Sequence, residues 1–314
     1  MQTITPIDNT ESLRATCATC GTRARTHDPI HVHCASHNQR TYTLHECPSC
    51  ELKFWWPLQA DPSVYEDEGF EAYVDYHSGK RPFPRWAVPL FSILPPNPGR
   101  ALDVGCGDGS VLSRLAQAGY EPYGIDLDEK SIEVARTKFG LEHVGVSTLD
   151  SYVDTSLKDG TQFDLVTFFE VLEHQDAPNS FLAQVRLLCR PGCLVAGSVP
   201  NRNRFLARID RAMSDGDLPP HHFLWFSRTS LVRSLERAGF TNIEVQLVGA
   251  LPFLEIISKL SEVIRRRLGN SARQRWLASP FKALSPALAS VLWVGMRLSP
   301  SHIFFRCTSP GTAT

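Results

Sequence analysis

Two groups of residues in this chain have types and spacings suited to chemistry. Four cysteines stand in two pairs, Cys17-x-x-Cys20 and Cys47-x-x-Cys50. The stretch "ALDVGCGDGS", residues 101–110, places Gly105, Gly107 and Gly109 at alternate positions directly after an apolar run, with Asp103 two residues before the first glycine. Each cysteine pair can offer two thiolates to one ion, and four thiolates close a tetrahedral shell around zinc that leaves no position open, so such a site is structural. The 26 residues between the pairs exceed the usual span of a compact ribbon, and His31, His33, Cys34, His37 and His45 lie close enough in sequence to compete as ligands. The glycine turn does something different: it lets a ligand approach the main chain closely.

A phosphate loop would need G-x-x-x-x-G-K-[ST], and no lysine follows here. A dinucleotide fingerprint would read G-x-G-x-x-G, whereas this spacing is G-x-G-x-G with Ser110 after it. A carboxylate beside the turn suits a ligand with an amino-acid end and a positive centre better than a pyrophosphate. S-adenosylmethionine is such a ligand, with an ammonium and a sulfonium that prefer carboxylates and carbonyls. Asp126 ends the next apolar run, 17 residues beyond Gly109, where an acid can take both ribose hydroxyls. That last feature is shared with nicotinamide enzymes and speaks for an adenosine ligand in general.

The elements that must position these residues alternate. "ALDVG" reads as a strand, followed by a helix near Ser110–Ala118; "YEPYGID" is the second strand, with a helix over about Glu129–Phe139. "EHVGV" is a weak third strand, and "FDLVTFFEV" a fourth, apolar enough to be buried on both faces. A helix over Pro178–Leu188 closes at "PG", "CLVAGSVPN" is the fifth strand, a helix near Ser227–Ala238 stops at Gly239, and "NIEVQLVG" and "HIFFRCTS" supply the sixth and seventh strands. The fold class expected is α/β: a doubly wound, mostly parallel seven-stranded sheet preceded by a small zinc-ribbon domain. The expected organisation is a ribbon over 1–60, a Tyr- and Pro-rich connector or acceptor-side cap over 61–98 ending in "LPPNPG", a core over 99–250, and a helical insertion with the last strand over 251–314.

In order and spacing, "LDVGCGDGS", "GIDLD", "FDLVTFFEVLEH" and "LLCRPGCLVAGSVPN" resemble the successive signatures of class I S-adenosylmethionine-dependent methyltransferases over roughly residues 100–250. The resemblance implies a Rossmann-like fold in which Asp103, Gly105 and Gly107 contact the methionine end and Asp126 the ribose. It places the adenine within Ser147–Asp150, for which Leu149 stands as the candidate, and Glu170 at the wall of the site. The family's usual "PGG" is Pro191-Gly192-Cys193 here, which keeps the turn. A "CxxCG…CPxC" ribbon ahead of a Tyr-rich connector further resembles a subset of these enzymes, several of which methylate sugars, including nucleotide-linked deoxysugars, while others act in glycan or natural-product pathways.

Methyl transfer to a hydroxyl or an activated carbon needs a base, and a neutral histidine suits that task. "PPHHFLWFS" places His222 and His221 on a stiff loop after the fifth strand, where the resembling sugar enzymes often carry their base. His174 in "LEHQD" is the next candidate; Tyr73, Tyr76 and His77 suit ordinary packing first, or the lining of the acceptor side. Arg202, Arg204, Arg208 and Arg211 are spaced to grip a diphosphate or to form a solvated face.

The net charge of −1 gives no sign of bulk attraction to nucleic acid. Residues 1–170 hold 14 Lys and Arg against 24 Asp and Glu, and residues 171–314 hold 18 against 9, so the second half is basic. Phe253, Ile256, Ile257, Leu260, Val263, Ile264 and Leu268 share a helical face followed by Arg265–Arg267, which suits packing on the core or contact with a membrane surface, and hence a lipid-linked acceptor. "MQTITPIDNT" lacks a basic start and an apolar run, so a cytoplasmic location is expected, with thiols in place of disulfides. The function expected is methyl transfer to a small acceptor, a sugar or a glycan- or natural-product hydroxyl or carbon. The alternatives are a quinone- or phenol-type O-methyltransferase, a nicotinamide oxidoreductase, and a non-catalytic ribbon module.

Overall fold

The computed structural model describes residues 15–24, 29–60, 76–205, 207, 215–249, 287 and 290–310. The amphipathic stretch 253–268, Tyr73, Arg208 and Arg211 lie outside the described residues. Three short strands come first: β1 (His31–Cys34), β2 (Thr41–Glu46) and β3 (Lys53–Trp56). Then follow β4 (Arg100–Val104), α1 (Ser110–Gln117), β5 (Glu121–Asp126), α2 (Glu129–Phe139), β6 (His143–Val146), α3 (Leu149–Asp159), β7 (Phe163–Phe169), α4 (Pro178–Leu188) and β8 (Cys189–Pro200). β9 (Leu224–Trp225), α5 (Arg228–Arg237), β10 (Thr241–Val248) and β11 (His302–Thr308) complete the order.

The seven strands expected from sequence form one sheet in the order β10-β11-β8-β7-β4-β5-β6. β4, β5, β6, β7 and β8 run parallel, and β11 is antiparallel to both of its neighbours. The chain winds outward from β4 through β5 to β6, then returns to the other side of β4 as β7. Strand order therefore reverses between β4 and β7, and in open α/β sheets ligands bind at the carboxyl ends of the strands where this happens. β7 carries the apolar run that reads as a doubly buried strand: Phe163, Leu165, Val166 and Phe168 are all fully buried. Burial of a side chain of this size stabilises by about 1.5–3 kcal/mol, which makes this strand the anchor of the layers on both faces.

Local signals account for the helix ends. Asp128 caps α2 by accepting from the Lys130 N–H, and Gly140 ends it in the left-handed region. Ser227 and Ser230 form a reciprocal capping box at the start of α5. Helix α3 is absent from the sequence expectation. Its ends are marked by Thr148, which accepts from the Ser151 N–H, and by Gly160, but Val153 and Ser156 are its only buried residues. A helix with so narrow an apolar face leaves little periodic trace.

β9 is not part of the large sheet. It pairs antiparallel with β3, so the first sheet has the order β1-β2-β3-β9. The apolar core is continuous from Leu44, Phe54 and Trp55 of the first sheet through Phe223 and Phe226 to Val185 of α4 and Phe168 of the second sheet. No helix among the described residues is long and apolar enough to cross a membrane.

Candidate active site

The glycine turn after β4 opens a cavity of about 500 Å³ at the reversal of strand order. Gly105, Gly107 and Gly109 have φ of +74°, +52° and +76°, so the turn needs three left-handed residues in alternation. Gly107 needs its hydrogen for a second reason. A Cβ there would lie 2.7 Å from Cε1 of Tyr76, whose ring lies over the turn and lines the cavity. The Arg81 guanidinium lies 3.9 Å from the Tyr76 ring centroid, and His77 Nε2 lies 2.7 Å from Asp128 Oδ2. The end of the connector is thus latched to α2 across the turn.

The two acids of the turn differ in place. Asp126 lines the cavity at the end of β5; its Oδ2 accepts the Gly107 N–H at 2.7 Å and its Oδ1 the Asp128 N–H at 2.9 Å. Asp103 is 2% exposed, lies beneath the turn, and accepts from Thr167 Oγ1 at 2.7 Å. Burial pushes the Asp103 carboxyl up to about 8, and also raises that of Asp126. A buried carboxyl without a cation beside it resists ionisation. Asp103 therefore braces β4 against β7, while Asp126 presents its oxygens to the cavity. Ser147, Thr148, Leu149 and Asp150, the stretch expected to hold the adenine, line the same wall.

The opposite wall carries the titratable groups. Glu170 directly follows β7 with φ +56°, a left-handed conformation that costs a non-glycine residue about 1–2 kcal/mol. Its Oε1 accepts from Ser198 Oγ at 2.6 Å, and its Oε2 lies 3.2 Å from His302 Nε2. Burial works to raise the Glu170 carboxyl, but His302, the Ser198 hydrogen bond and His222 more than offset it and hold it below its ordinary value.

His174 Nδ1 donates to the His221 carbonyl at 2.6 Å. Burial, aided by His222, pushes its pKa down to about 3, so the ring is neutral and its Nε2 carries the lone pair. His222 Nδ1 lies 3.2 Å from Asp217 Oδ1, and Asp217 Oδ2 accepts from Arg204 Nη2 at 3.0 Å. A carboxylate can only accept, so His222 also presents Nε2. The two rings meet edge to face at 4.6 Å between centroids, and both residues line the cavity. Next to them Glu173 is fully buried, with no hydrogen-bond partner for either carboxylate oxygen among the described residues. Ligand atoms of Glu173, His174 and His222 lie within 4.8 Å of one another, so these three side chains form one cluster at the cavity. His221 contributes its carbonyl to this arrangement. Arg202 pairs with Glu46 and donates to the Glu51 carbonyl, so it and Arg204 are both committed within the fold.

Cys17, Cys20, Cys47 and Cys50 converge, with Sγ–Sγ distances of 3.5 Å for Cys17–Cys50 and 3.2 Å for Cys20–Cys47. None of the competing histidines, nor Cys34, joins this group among the described residues. The Cys17–Cys50 hydrogen bond pulls the Cys50 thiol down and pushes that of Cys17 up, so the two share one proton between them. Gly21 and Glu51 take up left-handed conformations just after the two knuckles, and their N–H groups close turns onto the Cys17 and Cys47 carbonyls.

Sequence reasoning misses Asp217, Glu173 and His302. Asp217 stands five residues before His222, which is a local signal for the pair. Glu173 lies within "FDLVTFFEVLEH". Nothing local marks His302, which reaches Glu170 from the far end of the chain.

Residues 80–245 match the methyltransferase-domain family. A ubiquinone biosynthesis O-methyltransferase from Aromatoleum aromaticum is 31% identical over 199 residues, which cover 59% of this chain and 79% of that protein. One of the same name from Bordetella avium is 43% identical over 107 residues, 33% of this chain, but the match spans only 44% of the relative's length. Among solved structures, phosphoethanolamine N-methyltransferase 2 of Haemonchus contortus in complex with S-adenosyl-L-methionine superposes with a TM-score of 0.51 at 17% identity, covering 80% of this chain and 60% of that one.

Proposed function

The chain belongs to the class I S-adenosylmethionine-dependent methyltransferases, and from that premise we propose that it methylates a phenolic or quinol-type hydroxyl of a small molecule, with His222 as the base. The observation that carries this reading is His222 on the cavity wall, backed through Nδ1 by Asp217. The names of the sequence relatives favour a phenolic acceptor over the sugar that the ribbon suggests. Commitment of Arg202 and Arg204 to internal partners removes two of the four guanidiniums expected to hold a nucleotide diphosphate. Phe169, stacked on Trp86 at 5.4 Å, supplies an aromatic wall at the acceptor end.

The residues present fit the cofactor: the cavity is of ligand size, a buried carboxylate faces it, and the turn exposes main chain beside that carboxylate. Asp126 would hold the ribose, the Gly105–Gly107 main chain the methionine end, and 147–150 the adenine. When bound, S-adenosylmethionine supplies a methyl group on a positively charged sulfur, open to in-line displacement. The protein's part is to align the acceptor oxygen and remove its proton. Asp217 keeps the proton of His222 on Nδ1, which leaves Nε2 to accept the hydroxyl proton. His174, held neutral, can accept or orient a second hydroxyl. The four knuckle cysteines would hold a structural zinc, for which their charge and closed geometry are suited.

The test is incubation with methyl-labelled S-adenosylmethionine and a panel of catechols, hydroquinols and nucleotide sugars. Label is expected on a phenolic oxygen, and His222→Asn is expected to reduce turnover by about 10²–10⁴-fold with cofactor affinity preserved. Label on a nucleotide sugar alone, or full turnover by H222N, would overturn the reading.

A further inference from the structure

The loop that carries His222 is shared between the two sheets. β9 follows directly after His222 and Phe223, and it is the fourth strand of the first sheet, with Lys53 opposite Trp225 and Phe54 opposite Leu224. The Trp55 N–H donates to the Phe223 carbonyl at 3.0 Å, and His33 Nε2 donates to the Pro219 carbonyl at 3.1 Å. Trp55 meets Trp225 edge to face at 5.5 Å, and Trp225 Nε1 donates in turn to the Asp217 carbonyl at 2.8 Å. The partner of His222 and the main chain on both sides of it therefore rest on β1, β3 and the indole between them.

The first sheet depends in turn on the cysteines. Cys47 follows the last residue of β2 and Cys50 stands three residues before β3, so the second knuckle is itself the turn of the β2–β3 hairpin. Cys17 and Cys20 cross-brace it from the other side, and they are fixed to the core by Asn179 Nδ2, which donates to the Ala18 and Thr19 carbonyls at 2.9 and 3.0 Å. Arg233 donates to the Ser49 carbonyl within the second knuckle. A small sheet held at its turn by a metal gains its order from metal binding. Among the described residues, none of those lining the cofactor cavity comes from the ribbon.

We propose that the metal-loaded ribbon is the floor that positions the base loop, residues 215–226, so that the metal governs acceptor chemistry without contributing to cofactor binding. The ribbon is then a positioning device inside the enzyme, in contrast to a module for an outside partner. The part of the proposal that concerns turnover rests on His222 being the base; the part that concerns loop order does not.

The test strips the metal from the full-length reduced protein with a chelator, confirms its loss by metal analysis, and follows backbone hydrogen exchange by mass spectrometry together with calorimetric titration of S-adenosylmethionine. Exchange in 41–56 and 215–226 is expected to rise at least tenfold, that in 101–126 to stay unchanged, and the cofactor Kd to move less than threefold. A base loop that keeps its protection in metal-free protein would refute the proposal. So would a collapse of cofactor affinity in step with metal loss, since the metal would then hold the whole fold. Trp55→Ala separates floor from metal: full metal content, a loosened 215–226 and at least tenfold slower methyl transfer are expected at unchanged cofactor affinity. A protected loop in metal-replete W55A would also overturn it. Absence of transfer in the wild-type protein would count against the acceptor reading alone, because the exchange experiment needs no acceptor.

Discussion

Asp126→Asn separates the two duties of the carboxylate that ends β5. In the folded chain one oxygen accepts the Gly107 N–H at 2.7 Å and the other the Asp128 N–H at 2.9 Å. The amide can accept at one of these positions only, so one main-chain N–H loses its acceptor and the other keeps a neutral one, a loss of about 1.5–3 kcal/mol for the first. An opposing term acts on the unliganded protein. Burial raises the Asp126 carboxyl, and an uncharged amide relieves the cost of burying its charge. The two terms have opposite signs, and the stability of the unliganded variant should fall within about 2 kcal/mol of wild type. Nothing compensates in the complex. Ribose hydroxyls are donors that seek the carboxylate, and loss of one charge-assisted hydrogen bond, again about 1.5–3 kcal/mol, raises Kd by roughly 10- to 150-fold. Isothermal titration of S-adenosylmethionine into both proteins at neutral pH, with thermal melts of each without ligand, measures both quantities. A variant that binds the cofactor within threefold of wild type would refute the reasoning, since Asp126 would then serve the turn and not the ligand. A variant that fails to fold would refute the claim that the two terms offset.

Two further substitutions test the turn. Asp103 has a folded pKa raised to about 8 from an ordinary 3.8, so ionisation costs stability as pH rises through that interval, and no cost remains below it. Asp103→Asn keeps an acceptor for Thr167 and removes that slope, so the unliganded variant should gain on wild type between pH 5 and pH 8 by a few kcal/mol in denaturant titrations; equal gaps at the two pH values would contradict this. Gly109→Ala forces a left-handed alanine at φ +76° with its Cβ 2.7 Å from Leu141 Cδ1 and 2.8 Å from Ala135 Cβ. Strain and overpacking together should cost about 2–5 kcal/mol, seen as a lower urea midpoint at unchanged slope.

Features set by neighbouring residues are legible in the amino-acid order itself. The glycine turn, the strand that leads into it and the acid at the end of β5 can be read there because left-handed backbone and apolar periodicity are local properties. The seven strands are readable for the same reason, as are the paired cysteines, whose spacing is a ligand geometry in itself. Helix α3 escapes because its two buried residues leave too faint a period. What the chain cannot announce locally is who meets whom across the fold. Asp217, His222, His174 and Glu173 come together from two separate loops, Tyr76 lies on Gly107 from outside the core, and the two residues of β9 join a sheet whose other strands lie some 170 residues earlier. Those meetings depend on burial summed over distant segments. Sequence alone therefore marked the glycine turn and the four paired cysteines, and tertiary packing decided that His174 and His222 share the cavity and that the loop carrying His222 is laid on the first sheet.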